Sequence, residues 1–116
     1  MRPQANGALR LIIGAYTEPL PHVQAKGVGI SFLAFNPYTG QFSAGAKYTD
    51  IRNPTYLALS GDKRRLYAVE ELAEKDGADI VVLDLAPDAS PLTAVMRVPA
   101  HGDWPCHVSL DNAEER

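Results

Sequence analysis

One cysteine, Cys106, stands in a chain of 116 residues. A single thiol cannot close an internal disulfide or build a cysteine-rich metal site. Histidine is also scarce: His22, His101 and His107 are the whole set, and no two lie at metal-ligand spacing. Long apolar runs are missing, where a membrane-spanning helix needs about 20 such residues. The first seven residues do not lead into the apolar segment of a secretory signal. No block of like charges forms an interaction tail, and a formal net charge of −3 gives no general pull toward nucleic acid or anionic lipid. Ser60 and Ser109 lack the strand–turn–helix setting of a hydrolase nucleophile. No segment sustains a helical period. These absences predict a cytoplasmic protein with no metal, no cofactor, no nucleic-acid partner and no membrane partner. They leave the oligomeric state open.

What remains is a series of short, β-favouring segments with turn signals between them. The hydrophobic share of 46% and charged share of 22% suit one soluble domain. Strands are expected at 9–15, 28–35, 41–48, 55–59, 65–71, 79–85 and 92–98, with one more beginning at 106–110. Asn36-Pro37-Tyr38-Thr39-Gly40 and Ser60-Gly61-Asp62-Lys63 are strong turns. Gly45 weakens the third strand. The near-continuous apolar run at 79–85 suggests burial on both faces. Residues 70–75 would suit a helical turn by composition, but strand signals flank them.

The segments repeat. Gly27, Ile30, Leu33, Phe35 and Pro37 match Gly77, Ile80, Leu83, Leu85 and Pro87 at an offset of 50 positions. Pro54, Tyr56, Leu57 and Leu59 match Pro105, His107, Val108 and Leu110 at 51, and residues 11–17 occupy the place of 66–72. A four-stranded unit of about 50 residues has the period of a β-propeller blade. A sandwich also gives short strands, but not one motif twice at a fixed offset. The fold expected is therefore all-β, a propeller of four-stranded antiparallel blades. With the strands of a blade lettered a to d, the chain carries b, c and d of one unit (about 9–48). It continues with a to d of the next (about 54–98) and a of a third (105–110). About two blades are present, which leads to the expectation that the chain is the N-terminal piece of a longer propeller.

Antiparallel connectivity puts the start of each a strand and the end of each b strand on one rim. Strand a is innermost in a blade, so this rim surrounds the central channel. The groups gathered there are Tyr16, Thr17, Asn53 to Tyr56, Glu70, Glu71, and Pro105 to His107. Polar groups at strand ends on a rigid scaffold are candidates for binding.

Five motifs in order carry a resemblance. They are Gly14-Ala15-Tyr16-Thr17, Gly29-Ile30, Asn53-Pro54-Thr55-Tyr56-Leu57-Ala58, Leu66-Tyr67-Ala68-Val69-Glu70 and Pro105-Cys106-His107-Val108-Ser109. In these the chain resembles the lactonase family of seven-bladed β-propellers, which includes propeller-type 6-phosphogluconolactonases. The resemblance runs from about residue 12 to residue 111 and covers roughly the first third of such a propeller. It implies hydrolysis of a sugar-acid lactone, a small-molecule substrate, with the chain as a piece that is inactive alone. A carboxymuconate-type cycloisomerase and a non-catalytic binding propeller stand as alternatives.

Lactone hydrolysis needs a base for water and a donor for the tetrahedral oxyanion. His107 and Glu70 take these catalytic roles in this reading. Asn53, Tyr56, Tyr16 and Thr17 position substrate by hydrogen bonds, and Arg52 is the cation nearest the rim for a substrate phosphate. Each has a structural rival. His107 can stack at a strand end, Glu70 or Glu71 can be a solvated turn residue, and Tyr16, Tyr56 and Asn53 can shape the fold. Pro54 and Pro105 set the lead-in to strand a, and Cys106 is read as a small buried residue.

Overall fold

Asn36 opens the first tight turn through its side chain, whose Oδ1 accepts from the Tyr38 amide at 2.9 Å, while the Gly40 amide closes onto the Asn36 carbonyl at 2.8 Å. Ser60 and Asp62 organise the second: Ser60 Oγ donates to Asp62 Oδ1 (2.7 Å) and accepts from the Arg65 amide (3.1 Å). Such local side-chain bonds let Asn, Asp and Ser reverse a chain between strands. The computed structural model describes residues 9–18, 27–87 and 90–111, with Leu92 in backbone only. His22 lies outside the described residues.

The strands are β1 (Leu9–Gly14), β2 (Ile30–Asn36), β3 (Gln41–Tyr48), β4 (Tyr56–Leu59), β5 (Arg65–Val69), β6 (Asp79–Leu85) and β7 (Pro91–Pro99). They form two antiparallel sheets in sequential order, β1-β2-β3 and β4-β5-β6-β7. The molecule is thus an all-β segment of a propeller. The possible helical turn within 70–75 is realised only as one 3₁₀ turn at Glu74–Asp76.

The repeat holds at the level of single hydrogen bonds. Gly14 pairs with Ile30 and Val69 with Ile80; Ser31 pairs with Lys47 and Val81 with Arg97; Leu33 pairs with Ala44 and Leu83 with Ala94. Beyond each b strand, the Ala15 amide bonds the Gly29 carbonyl (3.2 Å) and the Glu70 amide the Asp79 carbonyl (2.9 Å). Both sheets also slip register at the same place, between the third and fourth strands of the unit. In the first sheet Phe32 faces the extra residue at Gly45. A Cβ on Gly45 would lie 2.6 Å from the Phe32 carbonyl oxygen, so the bulge requires glycine.

The core lies between the sheets. Ile30, Phe32, Ile51, Leu66, Ala68, Val81, Leu83 and Leu85 form one buried cluster, with Ile12, Tyr48 and Leu57 packed against it. Strand alternation sends Leu66 and Ala68 of β5 inward. Val81, Val82 and Leu83 are all buried, as the apolar run at 79–85 suggests. At the inner edge, Gly14 lets the sheets touch: a Cβ there would lie 1.9 Å from the Pro54 carbonyl oxygen.

Residues 105–110 were expected to begin a strand with Cys106 buried; they do not form one, and without a covering strand Cys106 is exposed. A strand exists through its ladder, and this segment has no ladder partner among the described residues. Its lead-in nonetheless repeats that of β4. Asn53 (φ 48°) and Trp104 (φ 54°) both adopt left-handed backbone just before a proline, 51 positions apart.

Candidate functional site

Asn53 is the hinge of the rim. It is fully buried, and its Oδ1 accepts from the amides of Thr17 (2.8 Å) and Glu18 (2.9 Å) and, at 3.4 Å, from the Thr17 hydroxyl. Its Nδ2 donates to the Glu71 carbonyl at 3.1 Å, and its own amide donates to Thr17 Oγ1 at 3.0 Å. The Glu71 amide returns a bond to the Asn53 carbonyl at 3.0 Å. One side chain thereby ties the end of β1 to the end of β5. Asn tolerates the left-handed backbone that this position takes. The same bonds fix Thr17 on the rim.

The two consecutive glutamates part company. Alternation beyond β5 places Glu70 on the inward face of Ala68 and Leu66, where it is 2% exposed. Its Oε2 accepts from the Arg52 amide (3.0 Å) and from Arg97 Nη1 (3.2 Å). Arg97 reaches it from β7 because Val81, the neighbour of Ala68, pairs in turn with Arg97. Arg97 also donates to the Asp50 carbonyl and lies 3.9 Å from Asp79. Burial opposes the Arg97 charge, but the hydrogen bond and charge of Glu70, with Asp50, outweigh it and hold its pKa above the ordinary value.

Arg52 faces Glu18, donating through Nε at 2.5 Å and Nη2 at 3.1 Å, with Nη1 on the Asp76 carbonyl at 2.9 Å. The hydrogen bond from Arg52 lowers the Glu18 pKa against the opposing effect of partial burial. Every guanidinium nitrogen of Arg52 therefore has a protein acceptor. Asp50, Ile51, Arg52, Glu70, Asp76, Gly77, Asp79 and Arg97 surround a cavity of about 270 Å³.

Glu71 turns the other way and meets hydroxyls. Its Oε1 accepts from Thr55 at 2.6 Å, and the Tyr16 phenol donates to the carboxylate at 3.2 Å (Oε1) and 3.1 Å (Oε2). Partial burial, then the hydrogen bond and charge of Glu71, raise the Tyr16 pKa above 10.0. Tyr16 is thus held as a neutral donor. Beside this cluster the Tyr56 and His107 rings lie 4.4 Å apart at a tilt of 42°, both exposed. Tyr16 and Glu71 occupy equivalent places in the repeat, as do Tyr56 and His107, so the rim is built from like positions of neighbouring units.

Of the rim residues read from the sequence, Tyr16, Thr17, Asn53 and Glu71 are joined by hydrogen bonds, and Tyr56 and His107 by a ring contact. Glu70 is drawn to the inward face, and Arg52 belongs to the Glu18 pair. Thr55 and Arg97 were not singled out in the sequence. The 55-residue offset marks Tyr16 and Glu71 as equivalent positions but gives no sign that they touch; the contact is seen only in the structure. Among the described residues no group of three or more His, Cys, Asp or Glu side chains is arranged to hold a metal ion. No helix among them is long and apolar enough to cross a membrane.

Antiparallel units repeated in register, packed sheet against sheet, with a polar rim at the inner strand ends, define a β-propeller segment. The chain belongs to the family described as Lactonase, 7-bladed beta-propeller, which matches residues 10–116. Among solved structures it is similar to a protein of Bacteroides uniformis provisionally described as a 6-phosphogluconolactonase. That match has 28% identity and a TM-score of 0.76 and covers 90% of this chain and 28% of that one. A Bacteroides fragilis protein with the same provisional description matches at 22% identity and TM-score 0.79, covering 95% of this chain and 29% of that one. The periplasmic gluconolactonase of Pseudomonas aeruginosa matches at 21% identity and TM-score 0.78, over 92% and 29%. The last two likenesses speak to the fold alone. The chain spans less than a third of the length of each. No curated protein matches the sequence.

Proposed function

We propose that the complete propeller to which this segment belongs is a lactone hydrolase acting on a sugar-acid lactone, of the 6-phosphogluconolactonase type. The observation that carries this reading is the match to the lactonase family over residues 10–116. The rim supports it chemically. His107 is the acid–base candidate because an imidazole can exchange protons near neutral pH and this one is exposed at the channel edge. Tyr16, Thr17 and Tyr56 line the same edge as hydrogen-bonding groups.

The other three candidates are tied to the protein. Asn53 is engaged by both neighbouring strand ends, which favours a role in holding the rim. Glu70 is held by Arg97 and the Arg52 amide, which favours an electrostatic tie between the second sheet and the connection leading into it over acid–base work. Arg52 would have to leave Glu18 to take a phosphate, so a phosphate contact here requires that exchange. The lone cysteine favours a cytoplasmic setting.

The test is a panel of lactones with and without a phosphate, assayed with the complete protein by acid release. Hydrolysis of sugar-acid lactones well above buffer supports the reading. Absence of hydrolysis across the panel overturns it.

A further inference from the structure

We infer that Glu71 is the carboxylate that receives the ring hydroxyls of a polyhydroxylated lactone, making it a specificity-determining residue. This rests on the lactone-hydrolase reading and adds to it a group at the same rim. A carboxylate offers about four acceptor sites. Among the described residues the side-chain protons aimed at Glu71 come from Tyr16 and Thr55, which leaves acceptor capacity. Among the described residues no cation pairs with Glu71, whereas its neighbour Glu70 is met by Arg97 at 3.2 Å. The side chain is half-buried at the channel edge. Partial desolvation strengthens hydrogen bonds to an ionised acceptor, and sugar hydroxyls are donors suited to it.

Tyr16 and Thr55 act here as positioning residues. They come from opposite sides of the seam, one from beyond β1 and one from before β4, and fix the carboxylate plane. The exposed Tyr56–His107 ring pair follows directly in sequence from Thr55 and Cys106.

The variant is Glu71→Gln in the complete protein, because glutamine keeps one oxygen to accept from Tyr16 and Thr55 while the charge and the second acceptor oxygen are replaced by an amide NH2. Two substrates are compared: glucono-δ-lactone, which carries ring hydroxyls, and δ-valerolactone, which has none. The expected result is a rise in KM for glucono-δ-lactone of about ten- to a hundredfold, with kcat/KM for δ-valerolactone unchanged. Equal losses on both lactones, or no loss on either, overturn the inference and mark Glu71 as a staple of the seam.

Calorimetric titration with gluconate separates this from the parent reading. If the wild type hydrolyses neither lactone but binds gluconate, and Glu71→Gln abolishes that binding, the hydrolase reading fails and the Glu71 assignment stands. If the wild type neither binds gluconate nor hydrolyses either lactone, both fall.

Discussion

At the scale of single residues, Asn53 shows how one side chain decides the shape of the rim. Replacing it with alanine removes the acceptor of two backbone amides and the polar side chain by which Asn tolerates left-handed backbone. Loss of the buried hydrogen bonds costs about 1–3 kcal/mol, and the backbone strain adds about 1–2 kcal/mol. Asn53→Gly loses the first contribution and keeps the second favourable. We expect Asn53→Gly to melt above Asn53→Ala in calorimetry and below the wild type; equal melting of the two variants would remove the backbone argument. Tyr16 gives a pH-dependent counterpart. Its folded pKa lies above 10.0 through partial burial and its bond to Glu71, so the stability it contributes is fully present below the unfolded value. That contribution is lost as pH rises through the folded pKa. Tyr16→Phe should therefore be less stable than the wild type near neutral pH, with the gap closing above pH 10.0 in thermal melts.

At the scale of elements, the buried ion pair of the second sheet joins the end of β5 to β7. Glu70 is 3% exposed in its side chain and Arg97 35%, so the pair is one-sidedly buried. Removing Arg97 leaves a carboxylate buried without its cation, which costs about 3–5 kcal/mol. Arg97→Met should lower the denaturation midpoint by that order, and Glu70→Gln in the same chain should restore much of it. Additive losses in this double-mutant cycle would mean that the two side chains are not coupled. The strands that hold this ion pair were legible from the sequence. The 50-residue offset is a backbone property, and turns such as Asn36 to Gly40 act through neighbours a few positions away. Even the bulge at Gly45 left a mark, as a glycine inside a strand pattern. The division of labour between Glu70 and Glu71 was not legible in the same way. It depends on strand parity at the point where β5 ends, and on Arg97, which lies 27 positions further along. The role of Asn53 was hidden for a similar reason: its partners, Thr17 and Glu18, are 36 and 35 positions away.

At the scale of the whole molecule, each sheet buries one face against the other and presents its second face outward. Tyr56, Met96 and Val98 are exposed in the second sheet, and Leu9, Ile13 and Phe42 in the first. Strand alternation and register group these residues. Val98 pairs with Ile80, which pairs with Val69, which pairs with Tyr56, so one row crosses the second sheet, exposed at Val98 and Tyr56 and buried at Val69. Leu9, Phe35 and Phe42 make an apolar row across the first, with the two phenylalanine rings 4.7 Å apart. Burying apolar surface yields about 25 cal/mol per Å², so such rows favour association when water is the alternative. Propellers remove this exposure by placing a blade on each side. The 116-residue chain expressed by itself should accordingly self-associate, eluting in size-exclusion chromatography ahead of its 12.6 kDa monomer mass and binding a hydrophobic dye. It should also fail to hydrolyse glucono-δ-lactone above buffer, because its rim presents only the arc from Tyr16 to His107 and a closed channel needs the arcs of about four or more blades. A monodisperse monomer without dye binding would contradict the packing argument. Turnover by the isolated chain would contradict the claim that the site needs more of the rim than this arc.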